Sequence, residues 1–543
     1  MNRWQRYWFA EGGRTAAAVL RVAIALAVLL TLRQLATLST ARIPGPASLY
    51  RPVGIWMAFG HLVPPPFVIS ALWVIAFAAS GLMLLGLWSR ASTAVSFVAS
   101  LALVSASFAS SATWSHQYNV VCLAQLAFLG ARGGDTLSLD AAIRRWRGRP
   151  PIDVARGYQW SIRLVQLTVA FMFAGAAFDK FMHAHFTLRW ALSDNLRHQL
   201  LVTYDLANLP RTPIADWLID DVWRFRTAAA LNLISQATPI FACLFVRRPV
   251  LRALCGGFFV IEVVALKLVM NLWNPHWLPL AAVFVDWDWL IAVITRRAPA
   301  RPEVASDWRP PRGQRWFVLG FVVYDALTGL VPKLDQILNT YPFTGFPMFA
   351  NVRAREPYDE HLPYDVPGDH FVAISDQPLG DRAQRWIDHQ NRRLYWVTDP
   401  ATYQKRLATI LADAQKRFPE LGIRGMRHFL TIFEAPAYPA PARFEPHVIA
   451  EMGEIAGDGT FRTVLGTLDD AGVTLRPHNV DTTNVRLVIF TDDRPIAHEL
   501  PAPPPRTGDR FATGKIEGDP LYVVAMIDGQ PWLVASRRAW RWE

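Results

Sequence analysis

Residues 160–180 of the chain are WSIRLVQLTVAFMFAGAAFDK, an apolar stretch that ends in an aspartate and a lysine. About 20 apolar residues in a helix cross the hydrocarbon core of a bilayer, so this stretch predicts a membrane helix. An ammonium group at membrane depth is costly, which makes Lys180 a candidate functional residue. A lysine near a helix end can instead extend its ammonium to the lipid headgroups, and position alone does not separate the two interpretations.

The composition is that of a membrane protein joined to a soluble part. Of 543 residues, 52% are apolar, and the first three fifths of the chain are far more apolar than the rest. The formal charge of +11 would favour nucleic-acid binding in a soluble protein. The arginines, however, cluster in short loops between apolar segments, as residues that set membrane topology do. We therefore predict a bilayer environment and no nucleic-acid partner.

The three cysteines, Cys122, Cys243 and Cys255, all lie inside apolar segments and lack the spacing of a metal-ligand pair. We predict free thiols, no disulfide framework and no metal site.

Hydropathy predicts about nine transmembrane helices within residues 1–339. Their approximate bounds are 15–36, 66–88, 91–113, 117–131, 158–183, 226–246, 250–273, 276–295 and 315–332. The first follows several arginines, as a signal peptide would, but its apolar stretch is too long and further spans follow it. We interpret it as a retained helix.

The basic residues of the loops predict the orientation. If the N-terminus is inside, the inner loops carry Arg90 and three arginine clusters within 132–156, 247–252 and 296–315, whereas the short outer turns near 114–116 and 274–276 carry no lysine or arginine. This asymmetry follows the positive-inside rule. With nine spans the C-terminus then lies outside.

Three further segments complete the predicted architecture. The long outer segments 37–65 and 184–225 contain prolines or tryptophans typical of interfacial pieces. In residues 340–543, helical patterning near 380–417 is followed by runs of branched and aromatic residues between Gly, Asp and Pro clusters. The sequence therefore predicts a polytopic α-helical membrane protein with a C-terminal extracytoplasmic α+β, mostly β, domain.

Signatures of familiar soluble enzymes are missing, but a set of polar residues shares one membrane depth in the predicted topology. Its members are His116, Asp179, Lys180, Asn232, Glu262, Lys267 and His276. Glu262 and Lys267 are about 140° apart around one helix, so we expect each to find a partner on another helix. The positions of His116 and His276 are equally consistent with the membrane–water interface, where headgroups and water would surround them.

Several of these residues lie in stretches that resemble the HTTM domain, the membrane domain of vitamin K-dependent gamma-glutamyl carboxylase and its bacterial homologues. The stretches are 114–118 (WSHQY), 137–141 (LSLDA), 166–180 and 190–197 (WALSDNLR), with 341–343 (YPF) and 347–349 (PMF) after the last span. The resemblance covers about residues 10–350. It implies a multi-pass protein of the bacterial cytoplasmic membrane.

The resemblance also implies a chemistry. In the carboxylase, a membrane lysine deprotonates vitamin K hydroquinone, a histidine assists, and dioxygen converts the quinol into a strong base. Counting back from residues 190–197 places that lysine at Lys180, whereas counting from Ala174 and Gly175 places it at Phe178; we take Lys180. The histidine becomes His116. Lys267 stands where the carboxylase has a histidine, so either it handles protons or the site has departed from this chemistry.

Two functions therefore stay open. In the first, the protein is a membrane enzyme that uses Lys180, His116 and Lys267 on a quinol or lipid at the outer leaflet, with a reduced isoprenoid quinone as the candidate cofactor. Asp179, Asn232, Glu262 and His276 would bind the substrate or lipid. In the second, the protein is a membrane scaffold or transport-related protein whose outer domain binds a protein partner.

The predicted topology is testable by thiol labelling. Because the arginine-rich loops lie inside, Ser375→Cys should react with a membrane-impermeant maleimide in intact cells, while Arg145→Cys in an inner loop should react only after lysis. Labelling of Ser375→Cys only after lysis would reverse the orientation.

Overall fold

The computed structural model describes most of the chain. The described residues are 3–10, 12–37, 50, 52–60, 62–111, 116–152, 157–205, 210–296, 310–330, 341–343, 366–388, 394, 399–434, 438–439, 445–469, 472–491, 495–499, 510–511 and 520–536. The predicted domain boundary at 339/340 and much of the outer segment 37–65 lie outside these ranges.

The N-terminal part is helical. Its α-helices are α1 Arg3–Phe9, α2 Arg14–Leu35, α3 Pro66–Leu85, α4 Ser89–Ser111, α5 Asn119–Phe128, α6 Leu139–Trp146, α7 Gln159–His183, α8 Arg189–Leu192, α9 Asn195–Asp205, α10 Pro213–Ile219, α11 Val222–Ala237, α12 Pro249–Met270, α13 Trp287–Ile294 and α14 Arg312–Leu330. Four 3-10 segments interrupt them at Gly54–Phe59, His116–Tyr118, Thr238–Cys243 and Pro275–Phe284.

Five of the described helices are long and apolar enough to cross a membrane, namely α2, α3, α4, α7 and α12. A sixth candidate is the 3-10 segment Pro275–Phe284 together with α13, which meet at a bend of 74°. These helices agree with a membrane protein, but the predicted count of nine is not confirmed.

Two of the remaining predicted spans are short or interrupted for local reasons, whereas α14 is an unbroken helix of 19 residues that is not among the six candidates. Helix α5 has 10 residues, about 15 Å of helix, which is half of a bilayer core. Helix α11 continues only as a 3-10 segment that contains Pro239, a residue that cannot donate the backbone hydrogen bond of a regular helix. Pro279 interrupts the segment Pro275–Phe284 in the same way.

Helix α7 is the central element of the helical part. It packs against α5, α11, α14 and the 3-10 segments that follow α11 and α12. Phe173 in its middle lies 5.2 Å from Phe259 and 5.7 Å from Trp277, measured between ring centroids. Aromatic pairs at these separations add to the apolar burial that holds neighbouring elements in place. The polar ends of α7 are therefore held in defined positions.

The C-terminal part is mostly β-structure, as predicted. Its strands are β1 Val366–Ser375, β2 Ile423–Glu434, β3 Glu445–Ala456, β4 Phe461–Arg462, β5 Thr467–Asp469, β6 Gly472–Thr474, β7 Val485–Thr491, β8 Pro495–Glu499, β9 Arg510–Phe511, β10 Pro520–Ile527 and β11 Gln530–Ser536. Its helices are α15 Asp381–Asp388 and α16 Pro400–Arg417, in the region where helical patterning predicts them.

An eight-stranded sheet organises this part. The strand order is β1-β2-β3-β11-β10-β7-β8, with β4 paired to β3, and β5, β6 and β9 form a second, three-stranded sheet. All pairs are antiparallel except β11 with β3. Helix α16 packs on β2 and β3 and buries Leu407 and Ile410 against the sheet. Strands β10 and β11 are buried along most of their length and consist largely of the branched and aromatic residues from which the sequence predicts β-structure.

Described contacts of Tyr438 join the two parts near the end of α7 that carries Lys180. The backbone N–H of Tyr438 donates to Asp194 Oδ2 at 3.1 Å, and the Tyr438 ring lies 6.1 Å from the ring of Phe225. Asp194 Oδ1 also accepts from Arg226 Nη2 at 3.2 Å. The segment 184–225 therefore carries the contact between the helical and β-rich parts.

Close packing of α12 gives a stability prediction with an internal control. A Cβ at Gly256 would overlap the side chain of Phe284, whereas a Cβ at Gly257 would meet nothing within 4 Å. Gly256→Ala should lower the free energy of unfolding by about 1–3 kcal/mol through overpacking. Gly257→Ala should be neutral or stabilising by up to about 1 kcal/mol, because alanine is the better helix former. Thermal unfolding in detergent measures both, and equal effects would contradict the packing.

Candidate functional site

Lys180 does not extend to solvent. It lies near the C-terminal end of α7 with only 1% of its surface exposed. Its ammonium Nζ donates to Gln236 Oε1 on α11 at 2.8 Å and lies 5.0 Å from the centroid of the Trp190 ring. The structure thus places this charge inside the protein, and the interpretation as a lysine that reaches the headgroups is wrong for this position.

Glu262 on α12 is the acidic counterpart of Lys180, and it is equally buried at 1% exposure. Its Oε1 accepts from Asn232 Nδ2 at 2.6 Å and from Gln236 Nε2 at 2.8 Å, and its Oε2 accepts from the Ser235 hydroxyl. All three donors belong to α11. Glu262 therefore has the partner on another helix that its position in the sequence predicts.

Gln236 connects the two charges. Its amide oxygen faces the Lys180 ammonium and its amide nitrogen faces the Glu262 carboxylate, so only one orientation of the amide satisfies both neighbours. A buried charge is tolerated when it is paired and hydrogen-bonded, and costs much more when it is not. The Lys180–Gln236–Glu262 chain meets this condition with a single neutral amide between the charged groups.

An apolar cavity of about 350 Å³ adjoins these three hydrogen-bonded residues. Lys180, Gln236 and Glu262 form its polar wall, and aliphatic side chains of α11 and α12 form most of the remainder. Three of these aliphatic residues are strongly exposed: Leu231 at 60%, Ile234 at 55% and Ile261 at 56%. Leu231 and Ile234 on α11 and Ile261 on the membrane-length helix α12 give the cavity an exposed apolar edge, which offers an apolar molecule a route to a buried amine.

The structure brings together only some of the residues predicted from the sequence. Lys180, Asn232 and Glu262 line this cavity, but Lys267 does not. Its ammonium donates to Asn271 Oδ1 at 2.6 Å, at the end of its own helix, so the expected partner on another helix is wrong for Lys267. The physical reason is that α12 ends at Asn271 in a left-handed conformation, which turns this side chain back toward the last turn.

His276 and Asp179 are not among the described residues that line the cavity. His276 is fully buried, its Nε2 is 2.8 Å from the Gln117 carbonyl oxygen, and its ring packs on Tyr118. His276 is therefore surrounded by protein. The alternative interpretation, in which water at the membrane interface surrounds it, does not apply. The backbone carbonyl of Asp179 is 2.8 Å from His183 Nδ1. His116 begins the short 3-10 segment His116–Tyr118, and its side chain lies outside the described part of the chain.

Three residues of the site are absent from the sequence-based prediction: Ser235, Gln236 and Trp190. Asn232, Ser235 and Gln236 are spaced three and four residues apart, which places them on one face of α11. That spacing of polar residues inside an apolar segment is the signal that identifies Ser235 and Gln236 as partners for a buried charge. Trp190 offers no comparable signal, because tryptophan is frequent at membrane interfaces.

No family model, curated protein or solved structure matches the chain. The resemblance to the HTTM domain therefore stays a prediction from the quoted stretches, and the function rests on the geometry of the site.

The coupling of the two buried charges is testable through stability. Glu262→Ala leaves the Lys180 ammonium without its acidic counterpart and should lower the free energy of unfolding by about 3–5 kcal/mol. In a cycle of Lys180→Met, Glu262→Leu and the double variant Lys180→Met/Glu262→Leu, the double variant should lose much less stability than the two single losses added together, because both charges are removed together. Thermal unfolding in detergent measures the cycle.

Leu268→Ala on the exposed face of the same helix is the control and should change stability little, since Leu268 is 47% exposed. Additive effects of the Lys180 and Glu262 substitutions would show that the two charges are not coupled.

Proposed function

We propose that the protein is a membrane enzyme with an HTTM-like domain, and that Lys180 is the base that takes a proton from a quinol or another hydroxyl-bearing lipid. The observation that carries the proposal is the buried amine of Lys180 at the wall of an apolar cavity, hydrogen-bonded through Gln236 to Glu262. A lysine is a competent base when its amine is neutral and positioned by its surroundings.

The proposed step is a proton transfer. The neutral amine of Lys180 accepts the proton of a substrate hydroxyl, and the bonding electrons stay on the oxygen, which becomes an oxyanion. The ammonium formed then interacts through Gln236 with the Glu262 carboxylate, which stabilises the product of the transfer. The resemblance to the carboxylase implies a reduced isoprenoid quinone as the substrate or cofactor, with dioxygen as its oxidant.

The shape of the cavity supports a lipid-like substrate. A cavity of about 350 Å³ lies at the lower end of the range for small-molecule pockets. It accommodates a ring and the first part of a tail, while the exposed Leu231, Ile234 and Ile261 leave the rest of a tail in contact with lipid. An isoprenoid quinol has this division into a polar ring and an apolar tail.

The proposal includes the predicted topology in a bacterial cytoplasmic membrane. It counts α5, α14 and α11 with its 3-10 continuation as crossings beside the six candidates above, since broken helices are tolerated where protein surrounds them. The contact between Tyr438 and Asp194 supports an outer β-rich domain on the side of Lys180, because Asp194 lies a short segment after the end of α7.

A second function, a non-enzymatic scaffold, is favoured by one observation. Every described hydrogen bond of the Glu262 carboxylate is made with another residue of the protein. This is expected if Lys180 and Glu262 serve only to fix the positions of three helices. In this case the β-rich domain would bind a protein partner, and the chemistry of Lys180 would not matter as long as its charge is kept.

Two substitutions of Lys180 separate the functions. Lys180→Ala and Lys180→Arg should each lower the rate of dioxygen-dependent oxidation of a short-chain naphthoquinol by about 100-fold or more, because a guanidinium stays protonated and cannot accept a proton. The wild-type rate should rise with pH, since only the neutral amine acts as a base. Dioxygen consumption by the purified chain in nanodiscs measures the rates.

A pair of leucine variants controls for general damage to the membrane domain. Leu231→Trp fills the mouth of the cavity and should weaken naphthoquinol use, whereas Leu254→Trp, at a position 61% exposed on α12 and outside the cavity lining, should not. Full activity of Lys180→Arg with a wild-type melting temperature would reject the base and favour the scaffold.

A further inference from the structure

A second, larger cavity lies at the opposite end of α7. Its volume is about 1290 Å³, and it is formed where α1, the start of α2, the start of α7 and the start of α12 come together with the start of α13. In the predicted topology this end faces inward. Arg163 in this cavity and Lys180 are 17 residues apart on α7, about 26 Å along the helix, close to the thickness of a bilayer core.

Positive charge dominates the lining of this cavity. Six arginines and two aspartates contribute to it, a formal excess of four positive charges: Arg3, Arg6, Arg163, Arg247, Arg248 and Arg252, with Asp286 and Asp288. Arg3, Arg6, Arg247 and Arg248 are exposed at the rim. Arg163 and Arg252 are buried, so water screens their charges much less.

Arg163 is the best-defined of these buried charges. It is only 3% exposed, its Nη1 donates to Gln166 Oε1 at 2.6 Å, and its guanidinium lies 5.7 Å from the centroid of the Tyr7 ring. The Gln159 amide, with its oxygen turned toward the guanidinium, accepts from Arg163 Nη2 at 2.8 Å. These contacts are all with neutral groups, and the Asp286 carboxylate, which attracts Arg163 at longer range, also serves Arg252. A bound anion would therefore add compensation for buried cations that share one nearby carboxylate.

Arg252 on α12 adds a second buried cation. It is 6% exposed, its Nε donates to the Phe284 carbonyl at 2.9 Å, and its Nη1 is 3.8 Å from Asp286 Oδ2. At that distance the Asp286 carboxylate offsets the charge without a close hydrogen bond. The wall of the cavity therefore presents guanidinium groups that are held in place by protein and retain positive charge.

From this arrangement we propose that the arginine cavity binds the phosphate group of an anionic membrane lipid. Guanidinium groups bind phosphate through paired, charge-assisted hydrogen bonds, and basic pockets between membrane helices on the inner side bind anionic headgroups. Apolar side chains at the rim favour a lipid over free phosphate: Leu244, 72% exposed, lines the cavity together with Phe245 and Val246. They offer a surface for the acyl chains of a lipid whose headgroup enters the cavity.

The test compares three probes on the full chain in phosphatidylcholine nanodiscs or detergent. Dioctanoyl phosphatidylglycerol should bind saturably and raise the melting temperature, whereas dioctanoyl phosphatidylcholine and potassium phosphate should not. Arg247→Gln/Arg248→Gln removes two rim charges at exposed positions and should weaken phosphatidylglycerol binding about thirtyfold, from roughly fivefold for each basic residue near an anionic surface.

Arg145→Gln/Arg296→Gln is the matched control, because both residues are exposed and neither lines the cavity. It should leave phosphatidylglycerol binding unchanged. Equal weakening by both double variants would assign the effect to general surface charge and overturn the site. Equal binding of the two lipids would also overturn it, and saturable binding of potassium phosphate with the same dependence on Arg247 and Arg248 would replace the lipid with a soluble phosphate.

Discussion

The hydrogen-bonded chain from Lys180 through Gln236 to Glu262 is the interaction on which the arrangement of the membrane helices depends. It joins α7, α11 and α12, and both charged side chains are 1% exposed. Neither charge can be left without its counterpart at that depth except at a cost of several kcal/mol, roughly 3–5 for a broken buried pair. The three helices are therefore tied to one relative position, and the apolar cavity between α11 and α12 is a consequence of that position.

The buried cation at the other end of α7, Arg163, is held differently from Lys180. Both Lys180 and Arg163 are held by side-chain amides, Gln236 in one case and Gln166 with Gln159 in the other. Beyond the amide, Lys180 has the Glu262 carboxylate, whereas the described contacts of Arg163 are neutral. One end of α7 thus has a carboxylate hydrogen-bonded to the same amide as its cation and presents an amine to an apolar cavity, while at the other end arginines outnumber the aspartates Asp286 and Asp288 and positive charge is in excess. This difference in compensation is why we assign a proton-transfer role to one end and anion binding to the other.

Among the described residues, a buried carboxylate links the β-rich part to the helices of the site. Asp194, 2% exposed, accepts from Arg226 at the start of α11 and from the backbone of Tyr438. Arg226 belongs to the helix that supplies Asn232, Ser235 and Gln236. A change in the β-rich part that moves Tyr438 would therefore act on the helix that holds both charges, which offers a physical route from the C-terminal part to the cavity.

The sequence by itself determined the apolar segments, the β-rich C-terminal part and a candidate group of polar residues that includes Lys180, Asn232 and Glu262, because hydropathy and residue spacing are properties of the chain alone. Only the tertiary structure decided which segments remain unbroken helices, since Pro239 and Pro279 act through the hydrogen bonds of a particular helix path. It also decided which polar residues meet. Gln236 joins Lys180 to Glu262 and Lys267 turns to Asn271 because side-chain partners depend on helix rotation and on how each helix ends, and neither is encoded in local spacing.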